Sequence, residues 1–274
     1  MIIALSSSIG DPGESGRIAD LLATVLSDQE IRQQKRGEIL DFAIDRLRHS
    51  DTPVDANSEN TLTDAFLNHF WTTADALSQD EMREVFARIL AREIRSPGSF
   101  SASTLNLLTT LHPQIAMKFS QLCAMTFAFK GLVLVVVAMP HADGPNTIAH
   151  ALGTSRKIGE QLTDFGLTRE DLLDLRSAGL IRSLPEEEYP DLTAFFEAST
   201  VDFSGALATF EVGPAARERA GLAIVTSTNV ISFTRAGAEL RSILRLRPDP
   251  PYAEALKALM LGAGVRFSYV EPVN

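Results

Sequence analysis

Apolar residues recur at intervals of three and four through the first half of the chain, which is the pattern of helices that bury one face. Residues 15–49 carry two such stripes, the second of which includes Ile39 and Phe42. They predict either one long helix or two helices with a bend at Gly37. A further helix is predicted over residues 62–77. The strongest stripe follows, and it consists of Met82, Val85, Phe86, Ile89, Leu90 and Ile94.

The helix with the strongest stripe has marked ends. Ser78 and Glu81 have the spacing of a capping box, in which two side chains satisfy N–H groups at a helix start. Its last turn is basic, which suits the negative end of the helix dipole. Pro97 and Gly98 fit the central positions of a tight turn. The helix is therefore expected to end just before Pro97.

The serine-rich stretch after that turn has three interpretations. Its hydroxyl groups suit a phosphate-binding loop, a nucleophile or the cap of another helix. A Walker loop needs G-x-x-x-x-G-K-[ST] and a nucleophile elbow needs G-x-S-x-G, and neither motif occurs in the sequence. Ser99 or Ser101 can instead accept the first N–H groups of a helix that carries Leu105. We therefore expect a corner between two helices.

The longest apolar run, GLVLVVVAM in residues 131–139, contains four valines and favours a buried strand. It has about half the length of a membrane helix, which needs roughly 20 apolar residues. The first residues lack the basic and long apolar segments of a secretory signal. The single cysteine, Cys123, lies between apolar neighbours and suits a buried, reduced thiol. These features predict a cytoplasmic protein without membrane contact.

The pattern beyond residue 140 indicates a helix-turn-helix followed by strands. One helix is predicted up to Leu162, and a second begins at Thr168, with Asp171 as its capping partner, and ends at Gly179. Thr234 caps a later helix. Three strands are predicted by β-branched and aromatic runs, namely LIRSL, ATFEV and AIVTSTNVISF. This order of elements is that of a winged helix.

These elements together predict an α+β fold that is mostly α-helical. We expect an N-terminal helical bundle in residues 1–140. We expect a winged-helix-like domain with a small antiparallel sheet in residues 141–274, and this second domain also includes a C-terminal helix and strand. The protein should therefore contain two domains of different class.

Part of the chain resembles a known family. The stretch FARILAREIRSPGSFSASTLNLLTTLHPQIAMKFSQL is similar to the bacterial family called domain of unknown function 2806, in which a Leu-Ala-x-Glu-Ile segment runs into Pro-Gly-x-Phe-Ser. Looser similarity, at Gly179–Ile181 and at FTRAGAEL, extends over residues 60–250. A fainter similarity connects this layout to the abortive-infection alpha proteins of phage defence. The first resemblance implies no reaction and no catalytic residue, because that family has none assigned.

No constellation of residues indicates a catalytic or metal site. His69 lies on an apolar helical stripe, where a packed histidine is the ordinary interpretation. His141 and Asp143 share a loop, but a metal site needs three or four ligands and a triad needs a nucleophile. We therefore expect no metal, no cofactor and no enzymatic activity. A hydrolase or nuclease without a diagnostic motif is the third-ranked hypothesis.

Charge bears on which partner the protein binds. The formal net charge of −10 and the pI near 5.0 disfavour nucleic acid, because the field repels polyanions. The helix that begins at Thr168 would read DNA in a DNA-binding relative, but its acidic residues outnumber its arginines. The helix capped by Thr234 is basic, with Glu239 as its acid. The candidate residues for contact with a partner or nucleic acid are Arg169, Arg176, Arg235, Arg241 and Arg245.

Two hypotheses from different classes follow. The first is a non-enzymatic interaction or regulatory protein, acting in bacterial phage defence, whose winged-helix-like domain contacts a protein partner or a second copy of the chain. The alternative is a DNA-binding winged-helix transcriptional regulator, which the net charge disfavours.

Overall fold

The computed structural model describes residues 12–49, 62–76, 80–138, 162–182, 193–213, 229–262 and 264–271. The chain divides into two compact units, Met1–Leu105 and Asn106–Asn274. The sequence-based domain boundary at residue 140 stays a prediction. The predicted capping box at Ser78, the His141–Asp143 loop and most of the helix predicted before Leu162 lie outside the described residues.

The first unit is helical over its described residues. Its helices are α1 (Pro12–Arg48), α2 (Asp64–Ala76), α3 (Asp80–Arg95) and the beginning of α4 (Ala102–Thr110). Residues 15–48, for which the pattern left one helix or two open, belong to a single helix, and His49 follows its end. Helix α1 packs against α2 and α3. The helical assignment of this part of the chain therefore agrees with the apolar periodicity.

The core of the first unit lies between α1, α2 and α3. Phe70 and Phe86 are fully buried and meet edge to face, with ring centroids 5.2 Å apart. Ile39 and Ile89 are also buried. Phe42 was predicted to share the stripe of Ile39, but its side chain is 51% exposed. Three residues along a helix turn the side chain by about 300°, so Phe42 is displaced by about 60° from Ile39 around the helix and lies at the edge of the buried stripe.

The second unit combines helices with a sheet. After the end of α4 its helices are α5 (Pro113–Cys123), α6 (Arg169–Ser177), α7 (Thr193–Glu197), α8 (Arg235–Arg241) and α9 (Pro250–Gly262). Its strands are β1 (Phe127–Phe129), β2 (Leu132–Ala138), β3 (Ile181–Arg182), β4 (Val201–Phe203), β5 (Ala206–Val212), β6 (Asn229–Phe233) and β7 (Val265–Val270). The predicted α+β class, mostly helical with an antiparallel sheet, is confirmed.

The seven described strands form one antiparallel sheet in the order β3-β6-β2-β1-β4-β5-β7. Lys130 and Gly131 join β1 to β2, and their φ angles of 47° and 81° suit a two-residue hairpin turn. Phe127 and Phe203 are register partners on β1 and β4 and stack with centroids 4.7 Å apart. This aromatic contact anchors the middle of the sheet.

Helix α9 is fixed to the sheet by a buried tyrosine. The Tyr252 hydroxyl donates a 2.7 Å hydrogen bond to the carbonyl oxygen of Val136 on β2. The ring of Tyr252 also meets the ring of Phe165 edge to face, with centroids 5.4 Å apart. Tyr252 of α9 therefore contacts both strand β2 of the sheet and the segment that precedes α6.

Candidate functional site

Helix α6 begins with the predicted capping box. The Thr168 hydroxyl accepts a hydrogen bond from the N–H of Asp171, and the Asp171 carboxylate accepts the N–H of Thr168 at 2.8 Å. Lys118 Nζ lies 3.2 Å from the same carboxylate. Burial favours the neutral acid, but the hydrogen bonds from Thr168 and Lys118 outweigh it and hold the pKa of Asp171 below its ordinary value.

The turn before α6 is held by α5. Gly166 has a φ of 78°, and a Cβ built on it would lie 2.5 Å from Gln121 Nε2. Gln121 donates a 2.7 Å hydrogen bond to the carbonyl of Phe165, and Lys118 donates a 2.8 Å bond to the carbonyl of Gly166. Two side chains of α5 therefore fix the direction in which the chain enters α6.

Helix α6 ends in a Schellman motif, in which two N–H groups close back onto the last turn. The N–H of Gly179 bonds to the carbonyl of Arg176 at 2.9 Å, and the N–H of Leu180 bonds to the carbonyl of Leu175 at 3.0 Å. Gly179 has a φ of 75°, so it adopts the left-handed conformation that ends many helices, and the predicted end of the helix at Gly179 is confirmed. Leu180 and Ile181 are buried as the chain enters β3.

Helix α8 starts against the end of α6. The Thr234 hydroxyl donates to the carbonyl of Gly179 at 2.6 Å and accepts the N–H of Gly237 at 3.0 Å, so the predicted cap is confirmed. The N–H of Thr234 bonds to the carbonyl of Leu180 at 3.1 Å. We call this contact the Gly179 junction and define it by Gly179, Leu180, Thr234 and Gly237.

Two candidate arginines share one exposed face of α6. Arg169 and Arg176 are seven residues apart, which places them on the same side of the helix, and Leu173 lies between them with 48% of its surface exposed. Glu170 and Asp174 are the exposed acids of α6. Asp171, which is bound to Lys118, does not add to them. The exposed charges of α6 are therefore balanced, whereas the sequence predicted an excess of acid.

Arg176 and Arg235 both adjoin the Gly179 junction through the backbone. The Arg176 carbonyl accepts the N–H of Gly179, and the Gly179 carbonyl accepts the hydroxyl of Thr234, which directly precedes Arg235. Arg235 itself is exposed and forms a 2.6 Å ion pair with Glu239. The guanidinium of Arg235 is therefore already partly neutralised.

The remaining two candidates lie in contrasting environments. Arg245 is exposed beyond the end of α8. Arg241 has 8% of its surface exposed, and its guanidinium donates to Thr126 Oγ1 at 2.6 Å and pairs with Asp202. Arg241 therefore fixes α8 to the sheet instead of offering its charge at the surface.

The contacts of Arg241 belong to a buried polar cluster that the sequence did not reveal. Ser204 has a φ of 49° and no exposed surface, and its hydroxyl oxygen accepts the N–H of Thr126 at 3.1 Å. The Thr126 hydroxyl donates to the carbonyl of Cys123 at 2.7 Å. These groups satisfy one another, so the cluster stabilises the end of α5. In the sequence, the Ser-Gly pair at residues 204–205 indicates a turn at this position, but it does not indicate the contacts of the cluster.

The serine-rich corner between α3 and α4 is closed internally. The buried Glu93 carboxylate accepts the N–H of Gly98 at 2.5 Å and the N–H of Phe100 at 3.0 Å. Gly98 has a φ of 86°. The corner is confirmed as a connection between helices, because a carboxylate of the chain already occupies the N–H groups that a phosphate would need.

The described residues offer little for metal or nucleophilic chemistry. Among them, no group of three or more His, Cys, Asp and Glu residues has the proximity that a metal ion requires. Cys123 is buried as predicted, and burial raises the pKa of its thiol. Within the same ranges, no helix combines the length and apolar character of a membrane span.

Comparison with known proteins identifies a family. The family model described as "Protein of unknown function (DUF2806)" matches residues 24–257. No curated protein and no solved structure gives a significant match.

Proposed function

Since the chain belongs to the DUF2806 family of proteins of unknown function, we propose a role from its geometry. The protein is a non-enzymatic interaction or regulatory protein. Its second unit contains a winged-helix-like domain that binds a protein partner or a second copy of the chain through the exposed face of α6.

The topology around α6 supports a winged-helix-like domain. Strand β6 lies between β3 and β2 and is antiparallel to both. Helix α6 runs directly into β3 through Gly179, so a helix following a turn feeds the β3-β6-β2 end of the seven-stranded sheet. That is the order of a winged helix, with α7, β4 and β5 inserted where the wing would lie.

The exposed face of α6 is the observation that carries the proposal. Leu173 stands half exposed between Arg169 and Arg176, and the exposed charges of the helix are balanced. Protein interfaces favour arginine together with an apolar centre, whereas binding to a phosphate backbone favours net positive charge. This face therefore suits a protein surface better than a nucleic acid.

The biological setting is also part of the proposal. The fainter resemblance to abortive-infection alpha proteins supports a role in bacterial phage defence, and the composition supports a cytoplasmic location. In that setting the protein needs no cofactor, because contact alone transmits its effect. A phage-plating assay on cells that carry the gene, compared with the Leu173→Asp variant, tests this part.

Sedimentation velocity over a range of protein concentrations tests the contact itself. Leu173→Asp should weaken self-association at least tenfold, because a charge replaces the apolar centre of the interface. Leu261→Asp is the matched control, since Leu261 is a helical leucine with 67% of its surface exposed in the same unit. Equal effects of the two substitutions would contradict a specific contact on α6.

A monomeric parent protein would contradict the self-association form of the proposal. The partner form would then require a co-purifying protein that Leu261→Asp retains and Leu173→Asp loses. Both outcomes depend on variants whose thermal midpoints match that of the parent protein.

A DNA-binding regulator is the second candidate function. The pairing of Asp171 with Lys118 favours it, because this contact removes the acidic excess that the sequence predicted for α6. An electrophoretic shift with genomic fragments at low salt is the test. A sequence-selective complex that Arg176→Glu abolishes would replace the protein-contact proposal.

A further inference from the structure

Helix α1 has an open face in addition to the face that packs in the core. Gln33, Gly37, Leu40 and Ile44 are spaced by four, three and four residues, which is the repeat of a coiled-coil seam. They lie about 100–160° around the helix from the buried Ile39. We call Gln33, Gly37, Leu40 and Ile44 the α1 seam.

The α1 seam is accessible and partly apolar. Leu40 and Ile44 each have 42% of their surface exposed. A Cβ built on Gly37 would meet no atom within 4 Å, so the backbone of α1 can be approached closely there. In coiled coils a seam with this repeat is covered by a second helix that carries the same repeat.

The described helices that contact α1 cover a different side of it. Glu38 and Arg46 form ion pairs with α3, and they lie on the opposite side of Ile39 from the seam. Arg36 pairs with Asp75 of α2 and lies about 60° from Ile39. The seam therefore begins beyond the contact between α1 and α2.

The α1 seam is complementary to itself when two copies of α1 run antiparallel. With a twofold axis between residues 38 and 39, Leu40 lies level with Gly37 of the second copy. Ile44 then lies level with Gln33 of the second copy. The symmetry repeats both contacts, so the same surface serves on each copy, and each large apolar side chain meets a glycine or an unbranched chain.

Charge complementarity favours the antiparallel direction. Glu30 and Arg48 are exposed and flank the seam on one side, each about 180° around the helix from Ile39. In the antiparallel pair Glu30 lies within one residue of the level of Arg48 of the second copy. In a parallel pair each residue would instead lie beside the like charge of its own counterpart.

The third charge on this flank is Asp41, which is also exposed. In the antiparallel pair Asp41 lies about 3 Å along the axis from Gln34 of the second copy and about 7 Å from its own counterpart. Two acids and one base give this flank a net charge of −1. The Glu30–Arg48 ion pair forms twice across the dimer.

The remaining charges between residues 30 and 48 lie further from the seam. Arg32 and Lys35 are on the opposite side of α1 from the flank of Asp41. Asp45 lies 3.2 Å from His49 in an ion pair. These residues therefore do not oppose the pairing of Glu30 with Arg48.

We propose that the α1 seam pairs with the α1 seam of a second copy of the chain as a short antiparallel coiled coil. The repeat of the seam identifies a helix as its occupant. The fit of Leu40 over Gly37, together with the charges of Glu30 and Arg48, identifies that helix as α1 itself. This contact belongs to the first unit and is independent of the proposed contact on α6.

Cysteine cross-linking of the full chain tests the contact and its direction. The single cysteine of the sequence, Cys123, is buried, so an introduced surface thiol reacts selectively. A short bis-maleimide should link two copies of Gly37→Cys. Leu26→Cys, on the same side of α1, should not be linked, because antiparallel pairing places its two copies more than about 30 Å apart. Linking of both variants would indicate a parallel pair and contradict the proposal.

Sedimentation velocity tests the seam itself at 0.15 M salt, where a Debye length of about 8 Å screens the net charge of the two copies. Leu40→Asp should weaken association at least tenfold, because a carboxylate replaces an apolar contact in each half of the dimer. Ile31→Asp is the matched control, since Ile31 has 49% of its surface exposed and lies on the opposite side of the same helix. Equal losses in the two variants would contradict a specific seam.

A charge exchange tests the register. Arg48→Glu and Glu30→Arg should each weaken association about fivefold, because two exposed ion pairs become pairs of like charge. The double variant should restore the affinity of the parent protein, since it rebuilds both pairs with the charges exchanged. A double variant as weak as the single variants would overturn the antiparallel register.

The α1 contact can be distinguished from the proposed contact on α6. Leu173→Asp should leave the cross-linking of Gly37→Cys unchanged. Association that Leu173→Asp abolishes and Leu40→Asp leaves intact would support the α6 contact and overturn this inference. A monomeric parent protein without cross-linking at Gly37→Cys would also overturn it. Circular dichroism melting establishes that each variant is folded.

Discussion

The Thr234 hydroxyl donates a 2.6 Å hydrogen bond to the carbonyl oxygen of Gly179, 55 residues earlier in the chain. The same hydroxyl caps α8 by accepting the N–H of Gly237. One side chain therefore closes the C-terminal end of α6 and the N-terminal end of α8 together. The orientation of the exposed α6 face depends on this bond, which makes the Gly179 junction the most informative place for mutation.

Gly179→Val should destabilise the second unit by about 1–2 kcal/mol, because a β-branched side chain opposes a φ of 75°. Crowding is not the cause, since the nearest atom to an added Cβ is Leu107 Cδ1 at 3.9 Å. Urea unfolding followed by circular dichroism measures the loss. Gly179→Asn should cost less, because asparagine tolerates the left-handed region. Equal costs would assign the effect to packing.

Gly237→Ala should be more damaging than its size suggests. A Cβ at this position would lie 2.0 Å from the carbonyl oxygen of Leu180, a backbone atom that cannot rotate away. We expect a loss of about 2 kcal/mol or more, since α8 must shift away from β3. Gly37→Ala is the matched control in α1, where nothing lies within 4 Å of the added Cβ. Its thermal midpoint should stay equal or rise.

Arg241→Ala should destabilise the second unit by about 1–2 kcal/mol, because it removes the donor to Thr126 and leaves Asp202 without its cation. The carboxylate of Asp202 is partly exposed, so water limits the cost. Arg245→Ala, at an exposed position, should change stability by less than about 0.5 kcal/mol. Equal thermal midpoints for the two variants would show that the buried contacts of Arg241 are not stabilising.

Glu93→Gln should destabilise the α3–α4 corner by about 1–3 kcal/mol, because an amide offers one acceptor where two N–H groups now meet carboxylate oxygens. Native-state hydrogen exchange of Gly98 and Phe100 measures the effect locally. Glu84→Gln, at an exposed position of the same helix, should leave exchange at both amides unchanged. Unaltered exchange in Glu93→Gln would mean that the carboxylate does not hold the corner.

Asp171 should make the free energy of unfolding depend on pH. Its pKa is lower in the folded protein than in the unfolded chain, so the carboxylate stabilises the fold above the unfolded pKa. This contribution is lost as the pH falls through the folded pKa. Asp171→Asn should therefore flatten the acid limb of stability against pH. Asp174→Asn is the matched control on the exposed face of α6, and an equal flattening there would contradict the assignment.

The sequence predicted the features that depend on neighbouring residues. Thr168 and Asp171 form the capping box, the helix that begins there ends at Gly179, Thr234 caps α8, and Cys123 is buried. Caps and left-handed turns involve a few consecutive residues, so their chemistry is legible in the order of amino acids. The same reasoning predicted the mostly helical α+β class.

The tertiary structure alone decided which side chains are available at the surface. Arg241 and Arg245 look alike in the sequence, but a contact with Asp202, 39 residues away, buries one of them. Ile39 and Phe42 share an apolar pattern, yet only the former faces the core. Strands β1 and β4 have three residues each, too few for a detectable period, and exist through long-range pairing.

The candidate surfaces follow the same division. The sequence identified Arg169 and Arg176 as candidate contact residues and predicted that both lie on the same helix. It did not reveal that Lys118 of α5 binds Asp171, or that Arg46 of α1 shares the carboxylate of Glu84 with Arg88. Charge balance at a surface is set by partners that are distant in sequence and close in space. Local pattern fixes the helices, and packing between them determines which charges remain exposed.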